Sequence, residues 1–231
     1  MPEPENNQIS AGILQPELLL ISGQETAAAF GCDQDWYPEH WQRQAGCGPC
    51  TAATVLYYLS RSRLHLDHLY SASSHSQEDF TSFMGEIWHY VTPGRMGVNE
   101  ASILADGVYR YAAQHQVSLH ASVYEILNRQ QRDGNFAEFV TFIRQGLMQD
   151  SPVAFLNLSN GSLNNLDSWH WVAITELQTG QDSDLLATIA DSGERKVINL
   201  SEWYRSSWLG GAAVWFSVDS ESSPAANPGR G

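Results

Sequence analysis

Residues 46–60 read Gly-Cys-Gly-Pro-Cys-Thr-Ala-Ala-Thr-Val-Leu-Tyr-Tyr-Leu-Ser, and the rest of the chain has to be built around them. Ala52, Val55, Leu56 and Leu59 recur at i, i+3, i+4 and i+7, so a helix is predicted from about Gly48 to Ser60. Cys47 then stands where that helix begins. The first backbone N–H groups of a helix lack partners and its peptide dipoles present their positive end, and both stabilise a sulfur anion. A nucleophile so placed still needs a proton acceptor, and something to hold that acceptor.

Outward from this helix, three more stripes have the same period. Phe80, Phe83, Met84 and Ile87 predict a helix over 77–90, ended by Val91-Thr-Pro-Gly. Leu104, Val108, Tyr111 and Ala112 predict one from Asn99, taken as its N-cap, to Gln114. Phe136, Phe139, Val140, Ile143 and Leu147 predict a fourth over 135–149. The second half changes character. Residues 117–126 alternate loosely, and strands are predicted at 152–158, 169–177, 185–190, 196–200 and 212–218, separated by turns such as Asn160-Gly161, Thr179-Gly180 and Ser192-Gly193. Helices first and strands second predict an α+β fold, N-terminal helices packed on a C-terminal antiparallel sheet.

Composition sets bounds on partners. The 231 residues include 42% hydrophobic ones, with 8 Trp, 9 Tyr and 8 Phe, enough for an ordered core, and no linker divides residues 9–219. The flanks 1–8 and 220–231 are polar and apolar-poor, so a flexible N-terminus and a disordered C-terminal tail are expected. Twelve basic against 26 acidic residues give a net charge of −14, which speaks against nucleic acid and anionic membrane as partners and for cationic or neutral substrates. The apolar run 13–21 is broken by Gln15, Pro16 and Glu17, and Met1 is followed by no signal-like segment. Three cysteines, an odd number, fit a reducing compartment, and a cytoplasmic location is expected. The sequence does not set the oligomeric state.

The proton acceptor proposed for Cys47 is His170, in Asp167-Ser-Trp-His-Trp-Val-Ala-Ile174, where an apolar strand follows at once. Asp191 closes the next strand, in Leu185-Leu-Ala-Thr-Ile-Ala-Asp-Ser-Gly193. If these strands pair as a hairpin, Asp191 can accept the imidazole N–H and fix its tautomer.

A glutamine, then Cys-Gly-Pro on a helix, then His-Trp-Val-Ala-Ile on a strand, then an aspartate closing the next strand resembles the papain-like cysteine peptidases. Within them the pattern is most similar to the bacterial, bacteriocin-leader-processing (double-glycine peptidase-like) branch. The resemblance spans about residues 36–218, with specific motifs only around the Cys, His and Asp. It implies a Cys47–His170–Asp191 triad that cleaves a peptide or small amide bond through an acyl-thioester, without a cofactor. It also implies a glutamine at the oxyanion, Gln42 or Gln44, five and three residues before Cys47. Gln44 lies six before Cys50, the spacing in papain itself, so Cys50 with Gln44 stands as the alternative pair.

Other functions and other roles remain open for the same residues. Cys47-Gly-Pro-Cys50 is also the dithiol signature of thioredoxin-like oxidoreductases, although the polar stretch 35–44 before it is not strand-like. A papain-like binding module without turnover is a third class. A Cys47–Cys50 disulfide that switches a hydrolase off is expected under oxidation, whereas Cys32 reads as an ordinary core thiol. Trp41, Trp169 and Trp171 serve equally as cleft walls or core. Asp167, Asn157 and Asn164–Asn165 rank behind Asp191 as orienting groups. His65 and His68 read as a solvated turn rather than metal ligands.

Overall fold

The computed structural model describes residues 10–23, 28–132, 135–180 and 182–218. The two flanks expected to be loose fall outside that range. Near the N-terminus are β1 (Ser10–Gly12), β2 (Leu20–Ile21) and β3 (Ala29–Phe30), the last two paired with each other. The helical half comprises α1 (His40–Ala45), α2 (Cys47–Ser62), α3 (Gln77–Trp88) and α4 (Ala101–Gln114). Then follow β4 (Leu119–Ile126), α5 (Phe136–Met148), β5 (Val153–Asn157), β6 (His170–Thr179), β7 (Leu185–Asp191), β8 (Glu194–Asn199), α6 (Leu200–Ser206) and β9 (Gly211–Val218).

The main sheet runs in the order β4-β9-β5-β6-β7-β8, all neighbours antiparallel. Alongside β6, β5 covers His170 to Ile174, and β1 takes over at Glu176 to Gln178. This is the α+β arrangement expected, with the N-terminal strand β1 added to it. Strand β5 and residues 170–175 of β6 are buried at consecutive positions. Both faces of the sheet centre are therefore covered, and α2 and α5 both pack there.

Residues 47–60 of α2 are buried on every side, between β6, α3 and α4. An all-round buried helix holds its first residue in a fixed place, which is what positions Cys47. The third predicted helix differs at its start. Its N-cap is Glu100 rather than Asn99, without a side-chain capping bond, so Asn99 stands outside the helix. Among the described residues, no helix is long and apolar enough to cross a membrane.

Candidate active site

The short helix α1 meets the long helix α2 at Gly46, which caps the end of one and the start of the other. A side chain there has no room, because a Cβ would lie 2.4 Å from the Gln42 carbonyl oxygen and 2.7 Å from the Tyr37 ring. The sharp junction leaves Cys47 as the first residue of α2, with the unpaired N–H groups of a helix start around it.

His170 opens β6 and Asp191 closes β7, and hairpin pairing of the two strands brings them to one end of the sheet. His170 Nε2 donates to Asp191 Oδ1 at 2.7 Å. Asp191 sits immediately before the two-residue turn Ser192-Gly193, both at positive φ, so its backbone is set by the tightest connection in the sheet. Its other partners are the Ser192 hydroxyl, donating to Oδ1 at 3.0 Å, and Lys196 Nζ, donating to Oδ2 at 2.8 Å. Both carboxylate oxygens are thus satisfied.

The segment before His170 is held just as firmly. Asn157, fully buried and opposite His170 in the β5–β6 register, donates through Nδ2 to the Asp167 carbonyl and accepts from Trp203 Nε1 at 2.7 Å. Trp169 has φ 56°, a left-handed conformation that costs a side-chain-bearing residue about 1–2 kcal/mol. Its carbonyl oxygen lies 4.0 Å from Cys47 Sγ.

Electrostatics follow from these contacts. Burial disfavours a charged His170 ring, but hydrogen bonds to Asp191 and Cys47, and the charges of both, outweigh it and push the ring up to about 10. Burial also opposes ionisation of Asp191, yet the bonds and charges of His170 and Lys196 hold it well below the usual carboxylate range. Asp191 in turn raises Lys196 against the burial that would lower it. With Nε2 committed to Asp191, Nδ1 is the ring nitrogen left for the thiol.

The structure therefore brings Cys47, His170 and Asp191 together and separates the alternatives. Cys50 is bonded to Cys32 in a disulfide, and Cys47 is the free cysteine. This corrects three expectations. Cys32 is not an ordinary core thiol, Cys50 is not available as a nucleophile while bonded, and its disulfide partner is Cys32 rather than Cys47. A chain with an odd cysteine count here holds one bridge and one thiol, so the count did not argue for reduced cysteines. The stretch before Cys47 carries α1, not the strand that precedes a thioredoxin dithiol.

Gln44 is exposed and lines a cleft of about 280 Å³ together with Cys47, Trp41 and Trp169. Gln42 is half-buried with its Oε1 unpartnered among the described residues. A third glutamine, Gln34, shares a narrow inner cavity with Cys47, His170 and Asp191, and its buried Oε1 also lacks a partner there. Sequence reasoning missed Gln34, and nothing in its local pattern marks it. Lys196 was missed too, although it follows Asp191 by five residues across a tight turn. Trp171 belongs to the core, its Nε1 donating to the Val98 carbonyl at 2.5 Å, whereas Trp41 and Trp169 are cleft walls. The ring nitrogen that an orienting group would hold is taken by Asp191, while Asp167 contributes its backbone carbonyl to Asn157 and Asn165 bonds the Val197 carbonyl. Larger depressions, about 700 Å³ beside Phe30 and Arg195 and about 660 Å³ beside Arg61 and His115, include neither the thiol nor the imidazole and carry no part of this chemistry. Among the described residues, no three His, Cys, Asp or Glu side chains converge as metal ligands.

Set against known proteins, the chain matches no family model and no curated sequence.

Proposed function

We propose that the chain is a papain-like thiol hydrolase of peptide or amide bonds, acting through Cys47, His170 and Asp191. The observation that carries this reading is the buried His170–Asp191 bond of 2.7 Å beside the free Cys47 thiol at the start of α2. A buried histidine serving only structure gains nothing from being kept charged next to a thiol. A hydrolase does, because a thiolate beside an imidazolium attacks a carbonyl and has its proton donor in place.

In the proposed reaction, Cys47 Sγ adds to the carbonyl carbon of the scissile bond. The N–H groups at the start of α2 and the Gln44 amide in the cleft stabilise the oxygen that becomes negative. The His170 ring gives its proton to the leaving nitrogen, and the C–N bond breaks to leave an acyl-thioester. Water, deprotonated by His170, then releases the acid and restores the thiol. Asp191 keeps the ring turned so that one nitrogen always faces the sulfur. That the helix-and-sheet arrangement is papain-like in detail is part of the same proposal, supported by the antiparallel sheet that supplies His and Asp and the helix that supplies Cys.

The test is turnover of a peptide library, together with alkylation of the native protein mapped by mass spectrometry. Cys47→Ala and His170→Ala are each expected to abolish turnover, and Asp191→Ala to leave a residue of activity. Undiminished cleavage by Cys47→Ala would remove the proposal.

A further inference from the structure

We infer that the substrate carries a carboxylate close to the scissile bond, recognised by Arg95. This rests on the thiol-hydrolase reading of Cys47 and names the class of molecule that reading leaves open. The cleft beside Cys47 is walled by Trp41, Met96 and Trp169, all exposed, and contains one cationic side chain, Arg95. Arg95 and Met96 form the tip of a tight turn closed by Gly94 N–H to the Gly97 carbonyl at 3.0 Å and Gly97 N–H to the Gly94 carbonyl at 3.1 Å. Gly97 has φ 71°, which lets the turn close so tightly. The guanidinium is thus presented at the cleft from a short, doubly bonded support.

The fold does not use Arg95, and of the arginines without a partner among the described residues it is the one that lines the cleft at the thiol. Arg43, Arg63, Arg110 and Arg132 donate to backbone carbonyls, and Arg195 and Arg205 face carboxylates. Arg129 lies over the Trp208 ring, and Arg61 meets His75. Among the described residues, Arg95 has no carboxylate, carbonyl or ring partner, and the cleft holds no acidic side chain. Arg144, on α5, likewise lacks a partner among the described residues, but it does not line the cleft. The overall charge alone favours cationic or neutral substrates, but the side chains lining the cleft at the thiol include one cation and no carboxylate. A planar guanidinium beside apolar walls suits a carboxylate, which it can bind through two parallel N–H bonds.

Iodoacetate and iodoacetamide test this directly, since they differ only in carrying a carboxylate or a neutral amide. Each forms the same kind of Sγ–C bond while the C–I bond breaks and iodide leaves. The measurement is the ratio of the two alkylation rates at Cys47, followed by peptide mapping at neutral pH and low salt. Arg95→Met is expected to lower the iodoacetate-to-iodoacetamide ratio about threefold, and Arg95→Glu about tenfold, as for one and two unit-charge changes at close range in a solvated cleft. Arg95→Lys is expected to keep most of the ratio, and added salt to shrink the wild-type preference. A ratio unmoved in both the Met and Glu variants overturns the inference and leaves the hydrolase reading standing. A native Cys47 that neither reagent modifies, though both label it in denaturant, removes both.

Discussion

A histidine only 8% exposed ordinarily loses its charge, because burial strips the water that stabilises it. At His170 the opposite holds, since Asp191 and Cys47 both favour the charged ring strongly enough to push it up to about 10. The cause can be isolated. In Asp191→Asn the amide keeps the shape and loses the charge, so the ring's titration, followed by NMR of ring-labelled histidine, is expected to fall by more than one unit, or more than about 1.4 kcal/mol. A ring that titrates alike in both proteins would mean that Asp191 does not hold the charge. Turnover is also expected to drop roughly 100- to 1,000-fold in Gln44→Ala, as for the loss of one oxyanion donor, while Gln42→Ala, whose side chain is not in the cleft, changes it less. At this scale the convergence of Cys47, His170 and Asp191 was legible from sequence because each sits at the end of a strongly patterned element. The Cys32–Cys50 bridge was not, since it depends on how residues 28–33 fold back onto α2. Gly193 N–H donates to the Cys32 carbonyl at 3.0 Å and Phe30 N–H to the Gly193 carbonyl at 2.8 Å, contacts that no local pattern announces.

Elements long enough to repeat their period were legible, and short ones were not. Helix α2 and strands β5, β6 and β7 begin and end within about two residues of expectation, because each buries a run of apolar side chains. Helices α1 and α6 span 6 and 7 residues, under two turns, and no stripe can establish itself over that length. Strands β1 to β3, at 2 or 3 residues, exist only through their partners. The loop from Leu158 to Trp169 lies between these cases, since it is irregular yet must deliver His170 accurately. Asn157 does this by tying Asp167 to β5 and Trp203 to both. Asn157→Ala cuts the tether and leaves buried groups short of partners, for an expected loss of about 1–3 kcal/mol in urea unfolding. Hydrogen exchange is expected to quicken across 158–169 in particular. Uniform quickening along the whole chain would instead mark Asn157 as a general core residue.

For the whole molecule, two cross-links set the response to conditions, one covalent and one electrostatic. The bridge joins residues 18 apart in sequence, so Cys32→Ala is expected to cost about 2–4 kcal/mol, the usual scale for closing a loop of that size. Alkylation in denaturant without reductant is then expected to mark one cysteine, and three after reduction. The electrostatic link, His170 with Asp191, makes stability depend on pH in a direction fixed by the two shifts. The His170 ring is raised in the folded state, so its contribution is complete below the unfolded value near 6.5 and is lost as pH climbs toward about 10. Asp191 is lowered, so its contribution is complete above the unfolded value near 4 and is lost as pH falls through its folded one. These are two views of one interaction, at full strength between roughly pH 4 and 6.5. The gap in urea midpoint between wild type and Asp191→Asn is therefore expected to be widest near pH 5.5 and to narrow steadily by pH 10. The bond from Lys196 to Asp191 persists through that range, which keeps the gap from closing entirely. A gap of constant width from pH 5.5 to 10 would mean that the ring is not charged in the folded protein, and the ion pair assigned to the site would have to be withdrawn.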